Sequence, residues 1–250
     1  MKQVALWGPP SSGKTVWLAQ LYIRLQRTNT NWQVFPASSA TQAFIEEMRN
    51  LMTNQRRFPQ GTTLENPVKI EYEFRHPAFP EHRRVFIEDR AGAVSLGETP
   101  DWLEAFSKVD GLVVLLDPNR QEYLSEVQTA LENFYHKARE AGGQTDDRPV
   151  AFCLPKIDRL LRDANEVEFA LQHPDAFVRD QLPADFIRFI EQYTGSRHKF
   201  FPVSAIGVQM DFGVIRPTVY YDERFELRLL PDGAPIHLLT PFEWLFQELG

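Results

Sequence analysis

Short apolar runs and helical apolar stripes alternate along the 250 residues. The runs Val4–Trp7, Val68–Phe74, Val85–Ile87, Leu112–Leu116, Val150–Leu154 and Phe200–Val203 are rich in Val, Ile and Phe. Several lack the in–out alternation of a half-exposed strand, which predicts strands covered on both faces. Between them, Leu18, Leu21, Tyr22 and Leu25 recur at i, i+3, i+4 and i+7, and Tyr123, Val127, Ala130, Leu131 and Phe134 form a second helical stripe. Thr41–Met52 and Asp185–Tyr193 are further helix candidates. Strand–helix alternation of this kind predicts an α/β fold, a mainly parallel sheet with helices on both faces. Towards the end, "FELRLLPDGAPIHLL" predicts a hairpin turning at Asp232–Gly233. "TPFEWLFQEL" predicts a closing helix with Thr240 as N-cap, Pro241 at N1 and Glu243 at N3. No repeat, low-complexity tract or Gly/Ser-rich linker divides the chain. The expectation is therefore one domain over 1–250, with a hairpin excursion at 206–239 and the closing helix at 240–249.

Composition narrows the field. The apolar fraction of 43% suits a globular chain with a sizeable core. Net charge is −7, from 27 Lys and Arg against 34 Asp and Glu, and the cations form no block, which argues against nucleic-acid binding. Cys153 is the one cysteine and lies in the apolar run "VAFCL", so no internal disulfide is possible and a reducing cytoplasm is the expected location. No apolar run approaches the ~20 residues of a membrane span, and the N-terminus lacks a signal-peptide layout. The six histidines show no metal-ligand spacing and read as surface or loop residues.

One stretch carries chemistry on its own. Gly8-Pro9-Pro10-Ser11-Ser12-Gly13-Lys14-Thr15 fits G-x-x-x-x-G-K-[ST] in full, after a predicted strand and before a predicted helix. Glycines let consecutive N–H groups converge on phosphate oxygens, and the positive end of the helix dipole adds to the anion site. In such a loop the lysine reaches the β- and γ-phosphates and the Thr15 hydroxyl ligates Mg²⁺. The expectation is a three-layer P-loop NTPase fold.

Three further stretches, each after a predicted strand and in the same order, make the chain resemble the Ras-like and translation-factor class of P-loop GTPases. "DRAG" matches D-x-x-G. The resemblance implies that Asp89 holds Mg²⁺ through a water and that the Gly92 amide senses the γ-phosphate. "LPKID" resembles the guanine-reading [NT]-K-x-D, with Pro155 where Asn or Thr is expected. Asp158 there accepts from guanine donors that adenine lacks, and Lys156 lies along the base. "PVSA" resembles the S-A-K element, with Ser204 and Ala205 touching the base through their backbone and Ile206 in place of Lys. The class also uses a switch threonine on Mg²⁺ and γ-phosphate, for which "RRFPQGTTLENP" offers Thr62 or Thr63. Arg56 and Arg57 beside it read either as an internal arginine finger or as solvated cations. Ras-like enzymes place a water-orienting Gln after D-x-x-G. Here that position is Ala93, which leaves Glu88 as the nearest group able to polarise a water.

Within the class, "LWGPPSSGKTVWL", the delayed "FPQGTT" loop, "KID" and the terminal "TPFEWLFQEL" helix resemble the double-GTPase proteins of bacterial conflict gene clusters. That resemblance implies a cytoplasmic protein that binds Mg²⁺ with GTP or GDP, a slow GTPase switch working with a protein partner or activator in a multi-protein system. Two other readings stay open: an ATPase in which Glu88 is catalytic, and a non-hydrolysing scaffold whose Tyr220, Tyr221 and Phe225 dock a partner.

Overall fold

The computed structural model describes residues 2–8, 11–28, 30–59, 68–89, 108–117, 121–140, 147–195, 197–216, 218–230 and 233–250. Side chains at 68–69, 80–81, 86–89, 121–123, 134–135 and 137–140 are outside the description. The strands are β1 (Lys2–Trp7), β2 (Gln33–Pro36), β3 (Val68–His76), β4 (Phe79–Asp89), β5 (Gly111–Leu115), β6 (Val150–Pro155), β7 (His198–Asp211), β8 (Val214–Arg216), β9 (Val219–Tyr221), β10 (Leu227–Leu229) and β11 (Ala234–Ile236). The helices are α1 (Lys14–Leu25), α2 (Ser39–Arg49), α3 (Gln121–Glu140), α4 (Ala164–Gln172), α5 (Pro174–Gln181), α6 (Ala184–Thr194) and α7 (Thr240–Glu248).

Nine strands form one sheet, in the order β11-β7-β6-β5-β1-β4-β3-β2 with β8 paired to β7. The β4-β1-β5-β6-β7 centre is parallel. β2, β3, β8 and β11 run antiparallel to their neighbours. Alternate residues of the central strands point to opposite faces. Val4, Leu6, Val113 and Leu115 pack with Trp17, Leu18, Leu21, Phe44, Ile45, Phe242 and Phe246 from α1, α2 and α7. Ala5, Leu112 and Val114 pack with Val127, Leu131, Val178, Phe186 and Ile190 from α3, α5 and α6. Burial on both faces explains why the central runs read as unbroken apolar stretches. The result is the expected three-layer α/β fold. Among the described residues, no helix is long and apolar enough to cross a membrane.

Local chemistry sets several boundaries. The Ser38 hydroxyl accepts from the Thr41 N–H at 3.1 Å and starts α2. The Asp163 carboxylate accepts from Asn165 and Glu166 N–H and starts α4. The closing helix starts otherwise than expected. Leu239, not Thr240, is its N-cap, with no side-chain cap. Thr240 Oγ1 lies 3.3 Å from His237 Nδ1, and Glu243 accepts from Trp32 Nε1 at 2.9 Å. Thr240 is thus engaged by a residue three positions earlier and Glu243 by a distant strand-side tryptophan. Nor are the histidines all surface or loop residues. His82 is exposed as expected, but half-buried His76 and His198 stand in strands, and half-buried His237 hydrogen-bonds the Ala170 carbonyl.

The C-terminal excursion is a set of hairpins; Asp232 of the expected turn lies outside the described residues, and the runs on either side of it do not pair with each other. β10 pairs with β9 and β11 with β7, so the two runs flanking Gly233 belong to different sheets. The close approach of β11 to β7 explains this. At Gly207, with φ +79°, a Cβ would lie 2.2 Å from the Ala234 carbonyl carbon. Gly207→Ala is therefore expected to lower stability by about 3 kcal/mol, the upper range for a point substitution, through backbone clash and left-handed strain together. Gly213, equally left-handed at φ +81° but with nothing within 4 Å, isolates the strain alone, and its alanine variant should lose only about 1 kcal/mol. Urea unfolding of the two variants checks the difference.

Candidate functional site

β1 ends at Trp7 opposite Val114 of β5, so Gly8 continues the ladder opposite Leu115. A Cβ on Gly8 would lie 2.6 Å from Leu115 Cβ, so only glycine lets the chain turn off the sheet there. Two residues on the way to α1 are left-handed, Ser11 at φ +60° and Gly13 at φ +101°. Gly13 is the helix N-cap, and its carbonyl accepts the first intrahelical bond from Trp17 at 2.9 Å. The first turn of α1 holds no acidic residue, so the positive end of its dipole is not neutralised from within the helix. Lys14 is buried and donates to the Gly8 carbonyl at 2.7 Å, which places its ammonium over the loop. The Ser12 hydroxyl is fully buried and has no hydrogen-bond partner among the described residues. Pro9 and Pro10 lie outside the described residues.

The candidate base-reading loop follows β6, the strand two places from β1. Lys156 is left-handed at φ +60° and leads into a single 3₁₀ turn, Ile157–Arg159. Its ammonium donates to the Ser11 carbonyl at 2.5 Å, and its Cε lies 3.7 Å from where a Gly13 Cβ would stand. Two strained backbone positions thus face each other, joined by that bond; conformations of this cost persist where surroundings enforce them, characteristically at functional sites. Pro155 stands where the resembled motif has Asn or Thr and offers no side-chain donor towards the cradle. Lys156 supplies a tie in its place.

Asp158 is held from the third stretch. The Ser204 hydroxyl donates to its Oδ1 at 2.5 Å and accepts from the Gly207 N–H at 3.0 Å. Burial pushes the Asp158 carboxyl up from its ordinary range; the Ser204 bond, a backbone bond, Arg159 and Lys156 pull it back. Ser204 sits in the middle of β7, which continues to Asp211, rather than closing a strand as its motif suggests. Its side chain, not only its backbone, is engaged. Ala205 lies beside it and lines the same cleft.

These stretches open on one cleft of about 690 Å³, lined by Ser11–Thr15, Lys156, Asp158 and Ala205 among others. The volume is that of a small-molecule or cofactor site. The β1–β4 register pairs Ala5 with Phe86, which carries Asp89 to the level of Gly8 at the mouth of the cradle. The side chains of Glu88 and Asp89 are outside the description, and Thr62, Thr63, Arg90, Gly92 and Ala93 lie outside the described residues. Among the described residues, no cluster of His, Cys, Asp or Glu could hold a metal by itself. The donor set suits Mg²⁺ nonetheless, which takes few protein ligands and completes its shell with phosphate and water. Thr15, at the start of α1, is a donor of that kind.

Sequence reading misses part of the lining. Phe58, Pro59, Ile215, Arg216, Val219 and Leu227 also border the cleft. Phe58 and Pro59 precede the candidate switch threonines, and the other four come from the C-terminal excursion, whose approach to the cradle leaves no local signal. Arg57 is no free finger, since its guanidinium pairs with Glu226 at 2.5 Å.

Among curated proteins none matches the chain significantly. A family model, Double-GTPase 2, matches residues 2–207, from β1 through all four motifs to the glycine that meets β11. With the Gly8–Thr15 loop, the candidate base loop and Ser204 gathered on the parallel centre of one sheet in chain order, the chain belongs to the Double-GTPase 2 family.

Proposed function

We propose that the chain binds Mg²⁺–GTP and hydrolyses it slowly, as a nucleotide-controlled switch within a multi-protein bacterial defence or conflict system. The observation that carries this reading is the Lys156–Ser11 bond, which joins the candidate base loop to the phosphate cradle, with Asp158 held beside it by Ser204. Lys14, Thr15 and the Gly8–Gly13 backbone hold phosphate, Thr15 holds the metal and Asp89 holds it through a water, and Asp158 and Lys156 read the base. Thr62 or Thr63 joins the γ-phosphate side, and the Gly92 amide senses it. Bound Mg²⁺ supplies neutralisation of charge on the phosphate oxygens; the chain's own contribution is positioning.

Ala93 can orient no water, so turnover by the chain alone should fall on the order of 10⁻⁴–10⁻³ s⁻¹, the intrinsic range of an unassisted GTPase, and a protein activator should raise it. Single-turnover assays with GTP and with ATP test the whole reading. Turnover near 1 s⁻¹ without a partner assigns the water to another residue, Glu88 first, and equal handling of ATP favours the ATPase reading. The scaffold reading draws support from the exposed aromatics Tyr221 and Phe225, at 70% and 85%, and predicts no turnover with either nucleotide.

A further inference from the structure

The family match ends at Gly207, yet Ile215, Arg216, Thr218, Val219 and Leu227, all beyond that point, build part of the cleft wall. The β9–β10 ribbon is tied to the base side of the site. Thr218 Oγ1 donates to the Gly207 carbonyl at 3.2 Å, and the Leu230 N–H donates to the Thr218 carbonyl at 2.8 Å. Gly207 in turn donates to the Ser204 hydroxyl that holds Asp158.

The same ribbon is tied on its other side to the strap Gln55–Pro59. The strap leaves α2 through a π-helical turn, Asn50–Asn54, and passes through left-handed Arg56 at φ +56°. The Leu229 N–H donates to the Arg56 carbonyl at 2.8 Å, and Arg57 stands opposite Arg228 in an isolated antiparallel bridge. Glu226 accepts from Arg57 at 2.5 Å and from Arg228 at 2.7 Å, and Asp222 accepts from Arg228 at 2.7 Å. Strap and ribbon both reach the cleft, Phe58 and Pro59 from one, Val219 and Leu227 from the other. Across the junction run the isolated bridge, the Leu229–Arg56 backbone bond, a bond from Arg228 to the Gln55 carbonyl at 3.5 Å and one ion pair, Arg57–Glu226. The side chains of that pair are 44% and 40% exposed and it contributes little, while Leu229 itself is buried in the core. The polar part of the junction is weak, so opening it costs chiefly the exposure of Leu229.

We propose that the strap and ribbon form a second wall of the nucleotide site, whose docking is linked to the bound guanine nucleotide. The docked wall retains the nucleotide and the undocked wall releases it. Linkage is reciprocal, so the factor by which docking tightens binding is the factor by which nucleotide favours docking. The inference rests on the reading of the cleft as a guanine-nucleotide site.

The junction offers its own test. Because Leu229 N–H bonds the Arg56 carbonyl, Arg57 and Arg228 form a non-hydrogen-bonded pair, with Cα atoms about 4.5 Å apart, inside the range a disulfide bridges. Cys153 is buried and is the one native cysteine, so Arg57→Cys with Arg228→Cys has no competitor. Release of N-methylanthraniloyl-GDP is measured from the same protein oxidised and reduced. The oxidised form is expected to release it at least tenfold more slowly, with the rate restored by reductant. In the unmodified chain, amide exchange at Leu229, whose N–H bonds across the junction, should slow at least tenfold on adding GDP. Equal release rates, or unchanged exchange in a chain that binds GDP, overturn the linkage alone. An unmodified chain that retains no guanine nucleotide overturns the site reading with it.

Discussion

Lys14→Ala is expected to abolish stabilisation by GTP while leaving the fold in place. Nucleotide at about 100-fold its dissociation constant adds ~2.7 kcal/mol to the native state, a rise of roughly 5–10 °C in Tm for a chain of this size. The variant should show none of that rise. Its melting temperature without nucleotide should fall slightly, because the Lys14 ammonium donates to the Gly8 carbonyl, and a hydrogen bond of this kind is worth on the order of 1 kcal/mol. Thermal-shift curves of both proteins with Mg²⁺–GTP and without ligand check the expectation. Equal shifts in the two would remove the cradle from the site.

Asp158→Asn should exchange guanine for xanthine. The Ser204 hydroxyl accepts from Gly207 and donates to Asp158 Oδ1, so its proton is committed. In the variant the amide oxygen keeps that bond, which turns the amide nitrogen towards the base. A donor then stands where the carboxylate accepted. Guanine affinity should fall roughly 10²–10⁴-fold, as expected when a partly buried group meets a like partner, with xanthine nucleotides recovering much of the loss. Competition among GTP, XTP and ATP measures the exchange. Unchanged preference for GTP in the variant would mean that Asp158 does not face the base.

Both expectations descend from residues legible in the sequence. Gly8 to Thr15 declare themselves because a phosphate loop is local, with every group within eight residues. The central strands are legible too, since burial on both faces leaves runs such as "VAFCL" unbroken. Other parts are not legible, for different reasons. β2 has two exposed residues in four, so it has neither length nor a clean pattern. The Asp232–Gly233 turn signal is genuine as composition, but the partners of β10 and β11 are chosen by distant strands. The capping box at Thr240 and Glu243 loses to a local contact with His237 and a tertiary one with Trp32. The Lys156–Ser11 bond spans 145 positions, and no periodicity encodes a contact at that range.

The two ends of the sheet have a consequence for how the protein behaves in a crowded solution. β2 is four residues long and ends in Pro36; β11 is three residues long with Pro235 at its centre. A proline offers no N–H to an incoming strand, and so short an edge presents little else. Strand-by-strand growth into fibrils or edge-paired aggregates, the usual hazard of an open nine-stranded sheet, is thereby blunted at both margins.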